Sequence, residues 1–169
     1  ANSAGFVGVV RFIDGKESGS VYSLIHPAKM YFIPEWTKQI HHISYNDVRD
    51  KPYFPEVGDN LIMPFIKENP DLSFVAHNAC FDMNVIRKCC EYYGMEKPDI
   101  KYFDSLRVAQ KTWTKFETHK LTYLAEQFGI VYDAHNALDD SLTCGKIVSI
   151  DEEKLGTDNI SNLLKKCNL

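Results

Sequence analysis

Aromatic and β-branched residues crowd Phe6 to Ile13, apolar and polar residues alternate from Ser18 to Ile25, and the turn dipeptide Asp14-Gly15 lies between. That pattern predicts a β-hairpin broken by Pro27. Ser44 with Asp47 three residues on resembles a capping box, opening a short helix that Pro52 stops. Val57, Leu61, Phe65 and Ile66 have helical spacing, weakened by Gly58 and Pro64. Leu72 to Ala76 reads as a strand, and Asp82 to Tyr93 as a helix closed by Gly94. Lys101 to Phe103 predicts another strand, followed by a helix from Ser105 to Trp113. Leu121, Leu124 and Phe128 mark a further helix capped by Gly129, Asp139 begins one reaching about Ile150, and Ile160 to Lys166 adds a last. A hairpin followed by alternating strands and helices implies an α/β fold, a mixed β-sheet flanked by helices.

A chain of 169 residues, 44% of them hydrophobic, fits one domain with a real core. Its five cysteines, an odd number without a C-x-x-C pair, read as reduced thiols of a cytoplasmic protein. No apolar run approaches the roughly 18 residues of a membrane span, and Ala1-Asn2-Ser3 begins no secretion signal. The net charge of -4 argues against a broad basic surface holding nucleic acid by counterion release. A local exception is residues 101–120, where Lys101, Arg107, Lys111, Lys115 and Lys120 outnumber Asp104 and Glu117, with Trp113 and Phe116 interleaved. Cations beside aromatics suit a single strand with stacking bases, and equally an ordinary solvated helix and loop. Met30, Tyr31, Phe32 and Trp36 read as core or loop packing.

Two stretches carry chemistry. Val75-Ala76-His77-Asn78-Ala79-Cys80-Phe81-Asp82 and Ala134-His135-Asn136-Ala137-Leu138-Asp139-Asp140 each place a histidine five residues before a carboxylate, at the border of a predicted helix. Carboxylates delivered from separate segments suit a hard divalent cation, and a neutral imidazole nearby can take a proton from water. Asp139 and Asp140 point about 100° apart on a helix, so one of them faces such a site well. Each also has a plainer reading, His135 as a loop histidine with a structural hydrogen bond and Asp82 or Asp139 as a helix-opening acid.

The two stretches resemble the second and third motifs of the DEDDh 3′-to-5′ exonucleases, the DnaQ-like and RNase T-like superfamily that includes the polymerase III epsilon subunit. Ile40-His41-His42-Ile43-Ser44 is similar to that family's I-H-G-I-T segment, Phe103-Asp104-Ser105-Leu106 to its D-[ST]-L strand end, and Leu121 to Gly129 to its L-x-x-L-A-x-x-F-G helix. Order and spacing agree from about residue 6 to 150, leaving 151–169 as a C-terminal helical extension of one exonuclease-like domain. The resemblance implies an RNase H-like fold, Asp82 and Asp140 as ligands of two Mg²⁺ or Mn²⁺ ions, and His135 as general base. It places His41, Ile43, Asn78 and Phe81 at the substrate, with His42 where relatives have glycine. His77 and Asn78 are otherwise expected to shape the strand-to-helix turn, and Asp104 to cap a helix.

The family's first motif, D-x-E at the end of an apolar first strand, has no counterpart in this sequence, so that strand is missing from the expected sheet. Three explanations stay open: the motif lies in a parent chain, the member is inactive, or other carboxylates substitute. Asp14 and Glu17 fall in the hairpin turn, facing the wrong way, and Asp151-Glu152-Glu153 is a D-x-E that more naturally continues the Asp140 helix. The resemblance thus implies a metal-dependent 3′-5′ exonuclease releasing nucleoside monophosphates from single-stranded 3′ ends of DNA or RNA, impaired in this chain by the absent motif. A polymerase or other replication or repair protein is a candidate partner, and the oligomeric state stays open. The rival from another class is a non-catalytic module binding nucleic-acid ends; a weaker one is an interaction domain without a nucleic-acid role.

Overall fold

The computed structural model describes residues 4–28 and 39–169. Strands β1 (Phe6–Ile13) and β2 (Lys16–Leu24) form the expected antiparallel hairpin. Asp14 and Gly15 both take positive φ, 50° and 71°, the conformation of the tight turn whose twist matches the flanking strands. Strands β3 (Phe74–Ala76) and β4 (Tyr102–Asp104) pair in parallel. Helix α1 (Tyr45–Val48) opens as predicted, Ser44 donating through both N–H and Oγ to Asp47 Oδ2 at 2.7 and 2.6 Å.

The segment whose helical spacing Gly58 and Pro64 interrupt is α2 (Phe54–Val57), a π-helical stretch Gly58–Ile62, and α3 (Met63–Lys67). Pro64 has no N–H for the ladder and its ring crowds the preceding turn, so the wider π turn sits just before it. Helix α4 (Ala79–Tyr93) begins three residues earlier than predicted, because Asn78 is its N-cap, and ends as expected at Gly94 with φ of 64°. Then come α5 (Ser105–Thr112), α6 (Leu121–Gln127), α7 (Ala137–Leu155) and α8 (Ile160–Lys166). Helix α7 outruns its predicted end near Ile150 because its polar stretch Asp151-Glu152-Glu153 remains helical up to Gly156, at φ 61°.

Helix α7 is the spine. Its Val148 joins Phe103, Val108, Leu163 and Cys167 in one apolar cluster, and its Ile147 joins Ala109 and Leu124 in another. Against β1 it lies very close: a Cβ on Gly8 would meet the Ala137 carbonyl carbon at 2.7 Å, and one on Gly145 the Phe12 ring at 2.1 Å. Ser141 Oγ adds a hydrogen bond to the Gly8 carbonyl, 2.8 Å.

Both kinds of strand pairing expected of a mixed sheet are present, in two separate ladders. Among the described residues no pairing joins β1 to β3. β1 is half-buried from Phe6 to Phe12, and β3 throughout. Met30, Tyr31, Phe32 and Trp36 lie outside the described residues. All five cysteines are free, and no described helix is long and apolar enough to cross a membrane.

Candidate active site

The site lies beyond the carboxyl end of the parallel pair, where α/β folds open a crevice. At the end of β3 the chain turns through His77 and Asn78 into α4. The His119 carbonyl can only accept, so His77 Nε2 donates to it at 2.7 Å, leaving Nδ1 to accept from Ser105 Oγ at 2.9 Å. Burial lowers the His77 pKa and so favours this neutral tautomer. Asn78 takes φ of 69°, tolerable for asparagine, and its N–H donates to Asp104 Oδ1 at 2.9 Å. The same oxygen accepts from the Leu106 N–H at 2.9 Å, so Asp104 both caps α5 and ties it to the start of α4. The sequence reading of His77, Asn78 and Asp104 as turn and cap residues agrees with this geometry.

Asp82 follows in the first turn of α4. Its pKa is pushed up to about 6, first by the protein crowding round the carboxyl and then by the charges of Asp104 and Asp140. Asp140 arrives from the first turn of α7, whose N-cap Asn136 accepts from the Leu138 and Asp139 N–H groups. Asp140 Oδ1 accepts from the His135 N–H at 3.3 Å, while Asp139 Oδ2 turns away to the Asp133 N–H, 3.0 Å. Of the two adjacent acids, Asp140 is therefore the one that shares a site with Asp82. Burial raises its pKa too, partly offset by His135 and His41. Two helix N-termini thus bring two like charges together, and their dipoles favour keeping them there.

His135 is exposed with φ of 72°, and its carbonyl accepts from His41 Nδ1 at 3.4 Å, the rings 5.8 Å apart. His41 also meets Phe6 edge-on at 4.8 Å, and burial lowers its pKa. His42 takes φ of 55°, which accounts for the glycine the family resemblance places there. Phe6, Tyr22, His41, Ile43 and His135 bound a cavity of about 240 Å³. Phe81, 50% exposed, stands on the first turn of α4.

Other candidates fall elsewhere. Asp14 lies in the hairpin turn and Glu17 at the start of β2, and the carbonyl of the intervening Gly15 meets Ser149, nine residues along α7 from Asp140. Asp151 is eleven residues along that helix, about 16 Å of rise, buried and accepting from Trp113 Nε1 at 2.6 Å. Neither segment substitutes for the absent motif. Trp113 and Phe116 stack on each other at 5.4 Å and pack against Phe128, so these two rings pack against the core. The five cations of that stretch stay exposed. Among the described residues no three His, Cys, Asp or Glu side chains converge as metal ligands. Sequence reasoning missed the His77, Ser105 and His119 network and the cavity walls Phe6 and Tyr22, since nothing in local spacing pairs residues 28 to 42 positions apart.

Comparison with known proteins bears on the family and the fold. The profile of the RNase T family, described as exonuclease, matches residues 7–148. The 3′-5′ exonuclease DinG of Staphylococcus aureus (strain MRSA252) is 32% identical over 123 residues, covering 72% of this chain and 13% of that protein. DinG of Staphylococcus saprophyticus is 27% identical over 149 residues, 88% of this chain and 16% of the relative. The chain therefore spans about one seventh of the length of these relatives. Among solved structures, exonuclease X in complex with 5′ overhanging duplex DNA superposes with a TM-score of 0.71 at 19% identity, covering 98% of this chain and 91% of that one. The nuclease domain of 3′hExo, a DEDDh family member bound to rAMP, gives 0.74 at 16%, covering 85% and 76%.

Proposed function

Because the chain belongs to the RNase T exonuclease family, within the DEDDh superfamily, we propose that its site hydrolyses the last phosphodiester bond at the 3′ end of single-stranded DNA or RNA. The observation that carries this reading is the convergence of Asp82 and Asp140 from two helix N-termini, with His135 beside them. Two carboxylates held together against their mutual repulsion suit a divalent cation, Mg²⁺ or Mn²⁺, which relieves that repulsion. Such an ion, held by Asp82 and Asp140, supplies Lewis-acid polarisation of the phosphate. The described donors suit one ion; the second ion of the family scheme needs carboxylates beyond these two.

The remaining work falls to the chain. The His135 imidazole takes the proton of the attacking water as oxygen bonds to phosphorus. The bond from phosphorus to the O3′ of the preceding nucleotide breaks, releasing a nucleoside 5′-monophosphate. The 240 Å³ cavity takes the terminal nucleoside, with His41 and Ile43 in its wall. Asn78 and exposed Phe81, at the start of α4, steady the strand on the other side. The five free cysteines support a cytoplasmic setting.

Two carboxylates are fewer than the family scheme uses for two ions, and a second reading is a module that binds nucleic-acid ends without cutting them. A 5′-labelled single-stranded oligonucleotide, DNA or RNA, separates the two. Hydrolysis predicts a ladder of products shortened from the 3′ end, abolished by EDTA and by His135→Ala. Tight binding that survives EDTA, with no ladder, selects the binding module instead.

A further inference from the structure

Ser105, the first residue of α5, is fully buried, and its hydroxyl meets both the β3–α4 turn and α7. Its Oγ lies 2.9 Å from His77 Nδ1, 3.4 Å from the Ala76 carbonyl and 3.3 Å from Cys144 Sγ. A hydroxyl has one proton to donate and two lone pairs that accept. His77 Nε2 donates to the His119 carbonyl, so Nδ1 accepts, and the Ser105 proton goes to it over the shortest of the three distances. The Ala76 carbonyl cannot donate, which leaves the Cys144 thiol as the donor to Ser105 Oγ. Burial above all, with the charges of Asp82 and Asp104 adding to it, pushes that thiol's pKa up to about 12, so it keeps its proton.

The two ends of this row of donors sit beside the two acids. His77 precedes Asp82 by five residues, with the N-cap Asn78 between them, and Cys144 follows Asp140 by four, one turn along the same face of α7. The charge of Asp82 acts on Cys144, and that of Asp140 acts on Asp82, so thiol and acids share one neighbourhood. Asp104, the residue before Ser105, accepts from the Asn78 N–H at 2.9 Å and holds the start of α4 as well. Among the described residues the shortest hydrogen-bonded path from α7 to the start of α4 runs through Ser105. Such a tie has a physical use. Two like charges push each other apart, and a small hard cation tolerates little error in where its carboxylates stand.

We propose that Ser105 is a positioning residue for the two acids: by accepting from Cys144 and donating to His77, it sets the separation at which Asp82 and Asp140 take a divalent cation. This rests on the exonuclease reading of the same site. Ser105 touches neither the cation nor the strand; it acts through the two helix starts that carry the carboxylates.

The test is Mn²⁺ affinity, read from the free-ion electron paramagnetic resonance signal, in the parent chain, Ser105→Ala, Cys144→Ala and Cys144→Ser. Urea unfolding of each variant fixes conditions in which it is folded, and shortening of a 5′-labelled oligonucleotide is followed alongside. Ser105→Ala should weaken Mn²⁺ binding about tenfold and slow shortening at saturating oligonucleotide. Cys144→Ala should weaken it less, and Cys144→Ser, which restores a donor, should recover affinity relative to Cys144→Ala. A hydroxyl that served stability alone would lower the unfolding midpoint and leave the Mn²⁺ affinity of the folded chain at the parent value. That result overturns the positioning role, and shortening by the parent chain then leaves the exonuclease reading standing. Should Ser105→Ala not fold, equal affinities in the parent chain, Cys144→Ala and Cys144→Ser overturn the role in its place. A parent chain that neither binds Mn²⁺ nor shortens the oligonucleotide overturns the exonuclease reading, and the positioning role with it.

Discussion

Helix α7 carries a raised-pKa carboxyl near each end, and the two differ in almost everything else. Asp140 at its start raises the pKa of a second acid, Asp82, has a histidine N–H on one oxygen, and follows closely on His135, Asn136 and Ala137 in the wall of the 240 Å³ cavity. Asp151 near its end is fully buried at 0% exposure, with its pKa pushed up to about 7 by burial, Trp113 on one oxygen and nothing on the other. Lys154 lies over the Trp113 ring at 5.3 Å rather than pairing with the carboxyl. A perturbed acid is thus no evidence of chemistry by itself. Convergence with a second acid and room for a ligand separate the two ends, and α7 has both at Asp140 alone.

The sharpest way to break the comparison is by activity. Asp140→Asn should reduce shortening of a labelled oligonucleotide about a hundredfold or more, because the proposed cation would lose one of its two carboxylates. Asp151→Asn should stay within about threefold of the parent. Comparable losses in both would show that α7 acts as one cooperative unit and that the distinction is false.

Stability should reverse the ranking. The folded-state pKa of Asp151 is raised above its unfolded value, so the buried carboxyl is neutral in the native chain while the unfolded one ionises. Its favourable contribution is complete below the unfolded value near 4 and is lost as pH rises through about 7. Asparagine cannot ionise and still accepts from Trp113, so Asp151→Asn should gain on the order of 2–4 kcal/mol on the parent between pH 4 and 8. Urea unfolding at both pH values reads this directly; a difference independent of pH would mean that the carboxyl stays charged.

The smallest effect comes from the partner. Trp113→Phe keeps the stacking on Phe116 and removes the indole donor, leaving both Asp151 oxygens unsatisfied. A loss of about 1–3 kcal/mol in thermal or urea unfolding is expected at pH 8, smaller at pH 5 where the acid is neutral.

Much of this molecule was legible in the chain. Asp14-Gly15 fixed the hairpin turn because that pair tolerates positive φ, Gly94 and Gly129 marked helix ends for the same reason, and Ser44 with Asp47 built a cap from three residues of spacing. The two histidine and acid motifs carried the family, and with it the expectation that Asp82 and Asp140 meet. These are local signals, set by dihedral preference and by hydrogen bonds a few residues long.

What only the tertiary structure decided is everything that depends on distant neighbours. Sequence left the stretch with Trp113 and Phe116 open between a stacking platform for a single strand and an ordinary solvated helix and loop; contact with Phe128 and Asp151 packs the two rings against the core. Helix geometry alone left Asp139 and Asp140 as competitors, and the family resemblance favoured Asp140; in the fold the Asp133 N–H engages Asp139 and the His135 N–H engages Asp140. The split of the strands into two ladders, the cavity beside His135 and the crowding that raises the pKa of both acids have no local code. Burial and charge proximity are properties of the packed chain, and a sequence specifies them only through the fold it adopts.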